Sequence, residues 1–89
     1  MKLKEYKTNV GRMLVFHCPG CGYDHPFEVP RWKWNGSFDR PTFEPSLLVN
    51  ASRPESRCHS YVKEGKIRFL KDSYHALKGQ EVEIPEWED

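Results

Sequence analysis

The stretch Cys18-Pro19-Gly20-Cys21 constrains the fold of this chain more than any other. Two cysteines separated by Pro and Gly form a tight loop that directs both thiolates towards one metal ion. Proline stiffens such a loop, and glycine lets backbone N–H groups approach the sulfurs. A redox pair would be expected to precede a helix, but residues 23–27 are unfavourable for a helix. The motif therefore predicts half of a zinc site.

The size of the chain also favours a metal. Its 89 residues predict one small domain, 1–89, with flexible ends at 1–10 and 86–89. The free energy gained by burying so small an apolar core exceeds the cost of conformational entropy only slightly. Binding of Zn²⁺ would supply the additional stability. No apolar run is long enough to span a bilayer, and no segment resembles a secretion signal. We therefore expect a reducing, cytoplasmic location, where an odd number of cysteines suits thiolate ligation better than disulfides.

The distribution of turn signals predicts a mostly β, small α+β fold. Seven prolines and six glycines separate short β-prone runs. Asn35-Gly36 and Glu64-Gly65 are typical hairpin turns. After the second hairpin, Asp72 or Ser73 is a suitable N-cap for one short helix through Leu77. We expect antiparallel hairpins around one zinc site, with strands near 12–17, 25–29, 31–34, 46–49, 57–63, 66–70 and 81–85.

Two further ligands are needed to complete a tetrahedral zinc site. Cys58 is the best third ligand. In a reducing compartment, a further cysteine in a domain that already has a cysteine loop is expected to bind the same metal. His75 is the predicted fourth ligand, because it lies in the first turn of the predicted helix. The predicted set is Cys18, Cys21, Cys58 and His75. It would connect the first quarter of the chain to the last, and closing so long a loop stabilises a small fold.

Three residues remain as alternative ligands or as residues that support the ligands. His25, four residues after Cys21, is the competing histidine ligand. His59 follows Cys58 in a predicted strand, so the two side chains should point to opposite faces and bind different partners. Asp72 could accept the second N–H of a ligating His75, although it is equally suitable as an N-cap.

The combined motifs of the chain are similar to those of a known family. They are Cys18-Pro19-Gly20-Cys21, Trp34-Asn35-Gly36, Pro41-Thr42-Phe43-x-Pro45-Ser46-Leu47-Leu48, Arg57-Cys58-His59-Ser60 and Phe69-Leu70-x-Asp72-Ser73-x-His75-x-Leu77-x-Gly79-Gln80. With these motifs the chain resembles a group of small phage and prophage proteins of unknown function, sometimes labelled ammonia monooxygenase. The resemblance implies a phage or bacterial origin, the host cytoplasm and metal binding. Relatives occur beside bacterial ubiquitin-like conjugation genes, which implies a protein partner. Many members have Cys where this chain has Ser73.

The functional prediction from the sequence is a non-catalytic, zinc-stabilised protein-interaction module. Its aromatic residues exceed what so small a core needs, so some could form a contact surface. The candidate surface consists of Trp32, Trp34, Asn35, Thr42 and Phe43. The net charge of +1 argues against binding to nucleic acid through phosphates, although stacking of single strands on tryptophan stays open. A zinc-dependent hydrolase with an open coordination position and a structural virion component are also compatible with the sequence.

Overall fold

A computed structural model of the chain describes residues 1–9 and 11–87. In these residues, nine short strands form three antiparallel sheets with the strand orders β1-β2-β3, β4-β5 and β6-β7-β8-β9. The expectation of a mostly β fold is thus confirmed. The strands are β1 Lys4–Thr8, β2 Gly11–His17, β3 Asp24–Val29, β4 Lys33–Trp34, β5 Phe43–Glu44, β6 Leu47–Val49, β7 Cys58–Lys63, β8 Lys66–Phe69 and β9 Glu81–Glu83.

The first sheet is built around the hairpin that carries the cysteine loop. β2 and β3 pair up to His17 and Asp24, so the loop between them closes the end of the hairpin. Side chains alternate along both strands, and Leu14, Phe16 and Phe27 are fully buried. β3 lies at an edge of the sheet, where a proline within the strand is tolerated.

The four-stranded sheet alternates in the same way along β7. Cys58, Ser60 and Val62 face the core, whereas His59 and Tyr61 face outwards. The strand turns into β8 at Glu64-Gly65, as predicted, and both turn residues have a positive φ. Cys58 and His59 therefore lie on opposite faces of one strand.

The β4-β5 pair closes the core between the two larger sheets. Phe43 of β5 stacks on Phe27 of β3 with ring centroids 4.0 Å apart. The expected hairpin exists, but its connection spans residues 35–42 and is not a two-residue turn at Asn35-Gly36. The Asn35 side chain accepts the N–H groups of Ser37 and Thr42 and so orders this longer loop.

The predicted short helix at residues 72–77 is wrong. Apart from a 3₁₀ turn at Pro54–Ser56, none of the described residues is helical. The N–H of Tyr74 donates to the Arg57 carbonyl and that of Gly79 to the Phe69 carbonyl. Because these N–H groups bind neighbouring elements, they are not available for i→i−4 bonds, and the segment forms a series of turns.

Both ends of the described chain contact the rest of the protein. Lys4–Thr8 forms the edge strand β1, and Leu3 is fully buried. The indole N–H of Trp87 donates to the Val15 carbonyl at 3.2 Å. Among the residues described, no helix has the length and apolar character needed to cross a membrane.

Candidate active site and metal centre

The cysteine loop brings its two sulfurs together through its own backbone hydrogen bonds. The N–H of Gly22 donates to the Cys18 carbonyl at 2.9 Å, and the N–H of Cys21 approaches the Cys18 sulfur at 3.4 Å. Gly20 is needed in this loop for space. A Cβ atom at this position would lie 2.2 Å from the His75 ring, a distance that no real packing allows. The loop is therefore packed directly against the segment that carries His75.

Two more side chains join these cysteines from other strands. Cys58 starts β7 and His25 lies in β3, and one ligand atom of each of Cys18, Cys21, His25 and Cys58 lies within 4.8 Å of all the others. Cys18, His25 and Cys58 are buried, and Cys21 is partly exposed. The four residues together could hold a metal ion.

The state of His25 fits a bound ion. Its Nε2 atom is buried and has no hydrogen-bond partner among the described residues. An unpaired buried nitrogen is costly unless something binds it. Three thiols and one imidazole form a donor set typical of structural zinc. The histidine in this cluster is thus His25, which the sequence ranks only as the competing ligand.

His75 lies beside the cluster, outside the group of four. Its Nδ1 accepts the N–H of Leu77 at 3.3 Å, and its Nε2 lies 3.5 Å from the Cys58 sulfur. Burial lowers the pKa of His75 and favours the neutral ring. We assign the proton of that ring to Nε2, since Nδ1 is occupied as an acceptor. In this tautomer His75 donates to the Cys58 sulfur.

The thiols strongly affect one another. Contact with Cys58 lowers the pKa of Cys18 to about 4, and the same contact raises the pKa of Cys58. Burial raises the pKa of Cys21. The Tyr74 hydroxyl contacts Cys21, which raises the pKa of Tyr74 to about 12. A divalent cation would favour the thiolate form of all three cysteines, because its charge offsets theirs.

A second constellation lies on the outer face of the four-stranded sheet. The Ser46 hydroxyl is 3.0 Å from Nε2 of His59, and Nδ1 of His59 is 3.1 Å from a carboxylate oxygen of Asp72. We assign the ring proton of His59 to Nδ1, because Asp72 is an acceptor there; Nε2 is then free to accept the Ser46 hydroxyl proton. Nucleophile, base and orienting carboxylate in this order are the arrangement of a Ser-His-Asp hydrolase.

Strand pairing positions the serine and the histidine. Ser46 directly precedes β6, and the register of β6 with β7 places Leu48 opposite His59. The indole N–H of Trp32 approaches the Ser46 carbonyl at 3.4 Å. Ser46 is half-buried, so the residue contacts the protein and still has some exposure to solvent.

The turn after β8 holds the histidine through two consecutive residues. Asp72 binds the His59 ring, and the buried Ser73 hydroxyl accepts the His59 N–H and donates to the His59 carbonyl, both at 3.0 Å. Regular pairing of β7 with β8 ends at Ser60 and Phe69, so the N–H of His59 lies beyond the ladder. Ser73 therefore replaces a missing strand partner.

The sequence marks His59 and Asp72 as alternative ligands or supporting residues of the metal site, and it counts Ser46, His59 and Asp72 among the polar residues compatible with a zinc hydrolase. It does not mark Ser46 as a nucleophile. The aspartate orients His59 and not His75. Ser46 and His59 are 13 positions apart, as are His59 and Asp72, and no Gly-x-Ser-x-Gly motif surrounds the serine. The available signal is the pair of neighbouring predicted strands, 46–49 and 57–63.

The candidate contact surface is used largely inside the protein. Phe43 is buried, and Trp32 and Trp34 are partly buried and pack against the core. The Thr42 hydroxyl accepts the N–H of Glu64 at 2.9 Å. Asn35 orders the β4-β5 loop through its side-chain oxygen. The aromatic side chains of this group therefore contribute to the core.

Comparison with known proteins agrees with the serine-based constellation. A family model described as bacterial ubiquitination-like system serine protease (BubE) matches residues 2–70. The chain belongs to this family. The BubE match includes Ser46 and His59 and ends two residues before Asp72. No curated protein and no solved structure matches the chain significantly.

Membership of the BubE family corrects two predictions. The non-catalytic zinc module is wrong, since the family is described as a serine protease of a ubiquitination-like system. The family that matches is not specifically a phage zinc-binding one, and no comparison supports a phage origin or a cytoplasmic location. The possible Cys/His metal site is retained, but its metal is not identified.

Proposed function

We propose that this chain is a serine peptidase in which Ser46 is the nucleophile, His59 the general base and Asp72 the orienting carboxylate. The observation that carries the proposal is the continuous chain of hydrogen bonds from Ser46 through His59 to Asp72. The family description adds the setting, a bacterial ubiquitination-like system. The substrate is then a protein of such a system, cleaved at a peptide or isopeptide bond.

The proposed reaction follows from the tautomer of His59. Nε2 accepts the Ser46 proton while the serine oxygen attacks the carbonyl carbon of the substrate. The carbon–nitrogen bond then breaks, and the leaving amine takes the proton from Nε2, which leaves an ester on Ser46. Water, deprotonated by the same nitrogen, hydrolyses the ester and restores the hydroxyl. Asp72 keeps Nδ1 protonated and stabilises the imidazolium in both steps.

Labelling with a fluorophosphonate, which phosphonylates activated serines, tests this assignment. We expect one adduct, on the peptide that contains Ser46, as measured by mass spectrometry of the digested protein. His59→Gln should abolish the adduct, because the serine is activated only by its base. Labelling of other serines alone, or equal labelling of His59→Gln, would contradict the assignment.

Ser73 is expected to position His59 without touching the substrate. Ser73→Ala leaves the partly buried N–H of His59 without its partner, and an N–H kept from water without an acceptor costs about 1–3 kcal/mol. We expect kcat to fall about tenfold or more with little change in KM. Ser73→Thr keeps the hydroxyl and should restore most of the activity.

A spectroscopic measurement separates positioning from a general loss of stability. The downfield proton resonance of His59 Nδ1 should shift or broaden in Ser73→Ala. It should be unchanged in Ser52→Ala, which removes the hydroxyl of an exposed serine. An unaltered resonance and unaltered kcat in Ser73→Ala would show that Ser73 has no positioning role.

We also propose that the cysteine cluster binds Zn²⁺, with Cys18, Cys21, His25 and Cys58 as its ligands. Four protein donors leave no position for a catalytic water, so the proposed metal is structural and an open-site zinc hydrolase is not favoured. When bound, such an ion would neutralise the thiolates and link the two large sheets. The proposed His75 hydrogen bond to Cys58 would fix the orientation of that sulfur.

Substitution of the two histidines distinguishes the two ligand sets. His25→Gln should lower the zinc content of the purified protein well below one ion per chain, because it removes a ligand nitrogen. His75→Gln should keep close to one ion per chain and weaken binding only moderately, as loss of an outer hydrogen bond does. Elemental analysis measures both. The reverse result would identify His75 as the ligand.

A further inference from the structure

A cleft of about 250 Å³ lies next to the proposed nucleophile and has no part in the proposed bond cleavage. It is lined by residues 42–45 on one side and by 61–63 of β7 on the other. Ligand pockets for whole small molecules are usually larger than about 300 Å³. A dry cavity of about 150 Å³, by comparison, holds a benzene molecule. The size of this cleft therefore suits a single side chain.

Each wall of the cleft includes a residue that is close in the chain to a triad residue. On one wall, Pro45 directly precedes Ser46. On the other, Tyr61 follows His59 by two residues on the same outward face of β7. Two residues of a strand span about 7 Å. A substrate bound with its carbonyl carbon at Ser46 would thus place a neighbouring side chain at the cleft.

The chemistry of the lining favours an uncharged occupant. Phe43 and Val62 are buried and supply apolar carbon, and Tyr61 is 48% exposed. Glu44 and Lys63 carry opposite charges on the two walls, so the cleft has no net charge that would select an ion. Burial of an apolar side chain against Tyr61 and Pro45 is the favourable interaction that remains.

We propose that this cleft is a substrate subsite that binds one medium-sized apolar side chain beside the scissile bond, with Tyr61 as its main specificity determinant. The inference rests on the proposed peptidase function. It predicts that the substrate has an apolar residue such as Leu, Met or Phe adjacent to the cleaved bond. Differences in hydrophobic contact of this size change kcat/KM by about 10- to 200-fold.

Cleavage of a mixed peptide library by the full chain, read by mass spectrometry, tests the subsite. Wild type should prefer apolar over glycine or charged residues at one position flanking the cut. Tyr61→Ala should lower kcat/KM for the preferred peptide about tenfold and leave its glycine analogue nearly unchanged. Tyr61→Glu, which places a carboxylate in the cleft, should shift the preference towards Lys or Arg at that position.

The controls separate this inference from the function on which it rests. Tyr6→Ala changes an exposed tyrosine of β1, in a different sheet, and should leave the cleavage profile unchanged. Cleavage that depends on Ser46 but shows no side-chain preference, or a preference that both Tyr61 variants keep, would overturn the subsite alone. No cleavage of any peptide together with no fluorophosphonate adduct on Ser46 would overturn the function and the subsite together.

Discussion

Replacement of Ser46 by alanine is expected to lower kcat of peptide cleavage by at least about a thousandfold. The substitution removes the atom that forms the covalent bond to the substrate, and loss of such a nucleophile costs a large part of the catalytic rate. Burst and steady-state kinetics on a peptide that wild type cleaves measure the effect. Binding of the peptide to Ser46→Ala should persist, since the variant keeps the neighbouring cleft.

The control for this experiment is Ser52→Ala, which also removes a serine hydroxyl but from an exposed turn. Its kcat should equal that of wild type. Both variants should show the same thermal unfolding as wild type and the same metal content, because neither serine belongs to the cysteine cluster. Full activity of Ser46→Ala would refute the assignment of the nucleophile.

Removal of the metal is expected to unfold the protein. Apparent binding free energies of structural zinc are about 10–16 kcal/mol, which equals or exceeds the total stability of about 5–15 kcal/mol that a small domain has. The four proposed ligands connect β3, the β2-β3 loop and β7, so both large sheets depend on the site. Addition of a strong chelator should collapse the dispersion of the amide NMR spectrum, and Cys58→Ser should give the same spectrum without chelator.

Chelator that has been saturated with zinc is the control, and it should leave the spectrum unchanged. Readdition of zinc to the stripped wild type should restore the spectrum and the fluorophosphonate reaction together. A native amide spectrum in metal-free wild type would show that the apolar core is sufficient for the fold. Such a result would remove the proposed structural role of the cluster and leave the triad in place.

The two sites are related through one strand. Cys58 and His59 are consecutive in β7, and the alternation of the strand places the first in the cysteine cluster and the second in the triad. The turn after β8 supports both, since Ser73 holds the His59 backbone and His75 contacts Cys58. The position of His59, the proposed general base, is therefore expected to depend on whether the cysteine cluster holds its metal.

Local features of the fold are predictable from the sequence. The cysteine loop, the alternation in β2 and β7 and the turn at Glu64-Gly65 all depend on residues close to one another in the chain. The prediction of a helix is wrong because it used local signals for a segment whose structure depends on distant contacts. Its cap signals at Asp72 and Ser73 are local, whereas the hydrogen bonds of that segment go to distant strands and to His59.

By itself, the sequence determined the mostly β architecture and the cysteine half of a metal site, because strand period, turn residues and Cys-x-x-Cys spacing are local properties of the chain. Only the tertiary structure decided which histidine lies among the three cysteines and that Ser46, His59 and Asp72 form a triad. These residues belong to separate strands and turns, and their distances follow from strand register and sheet packing. A tight turn such as Glu64-Gly65 sets the register of its own hairpin, but the β6-β7 pairing and the approach of β3 to β7 join segments that are far apart in the chain, which no local pattern of residues encodes.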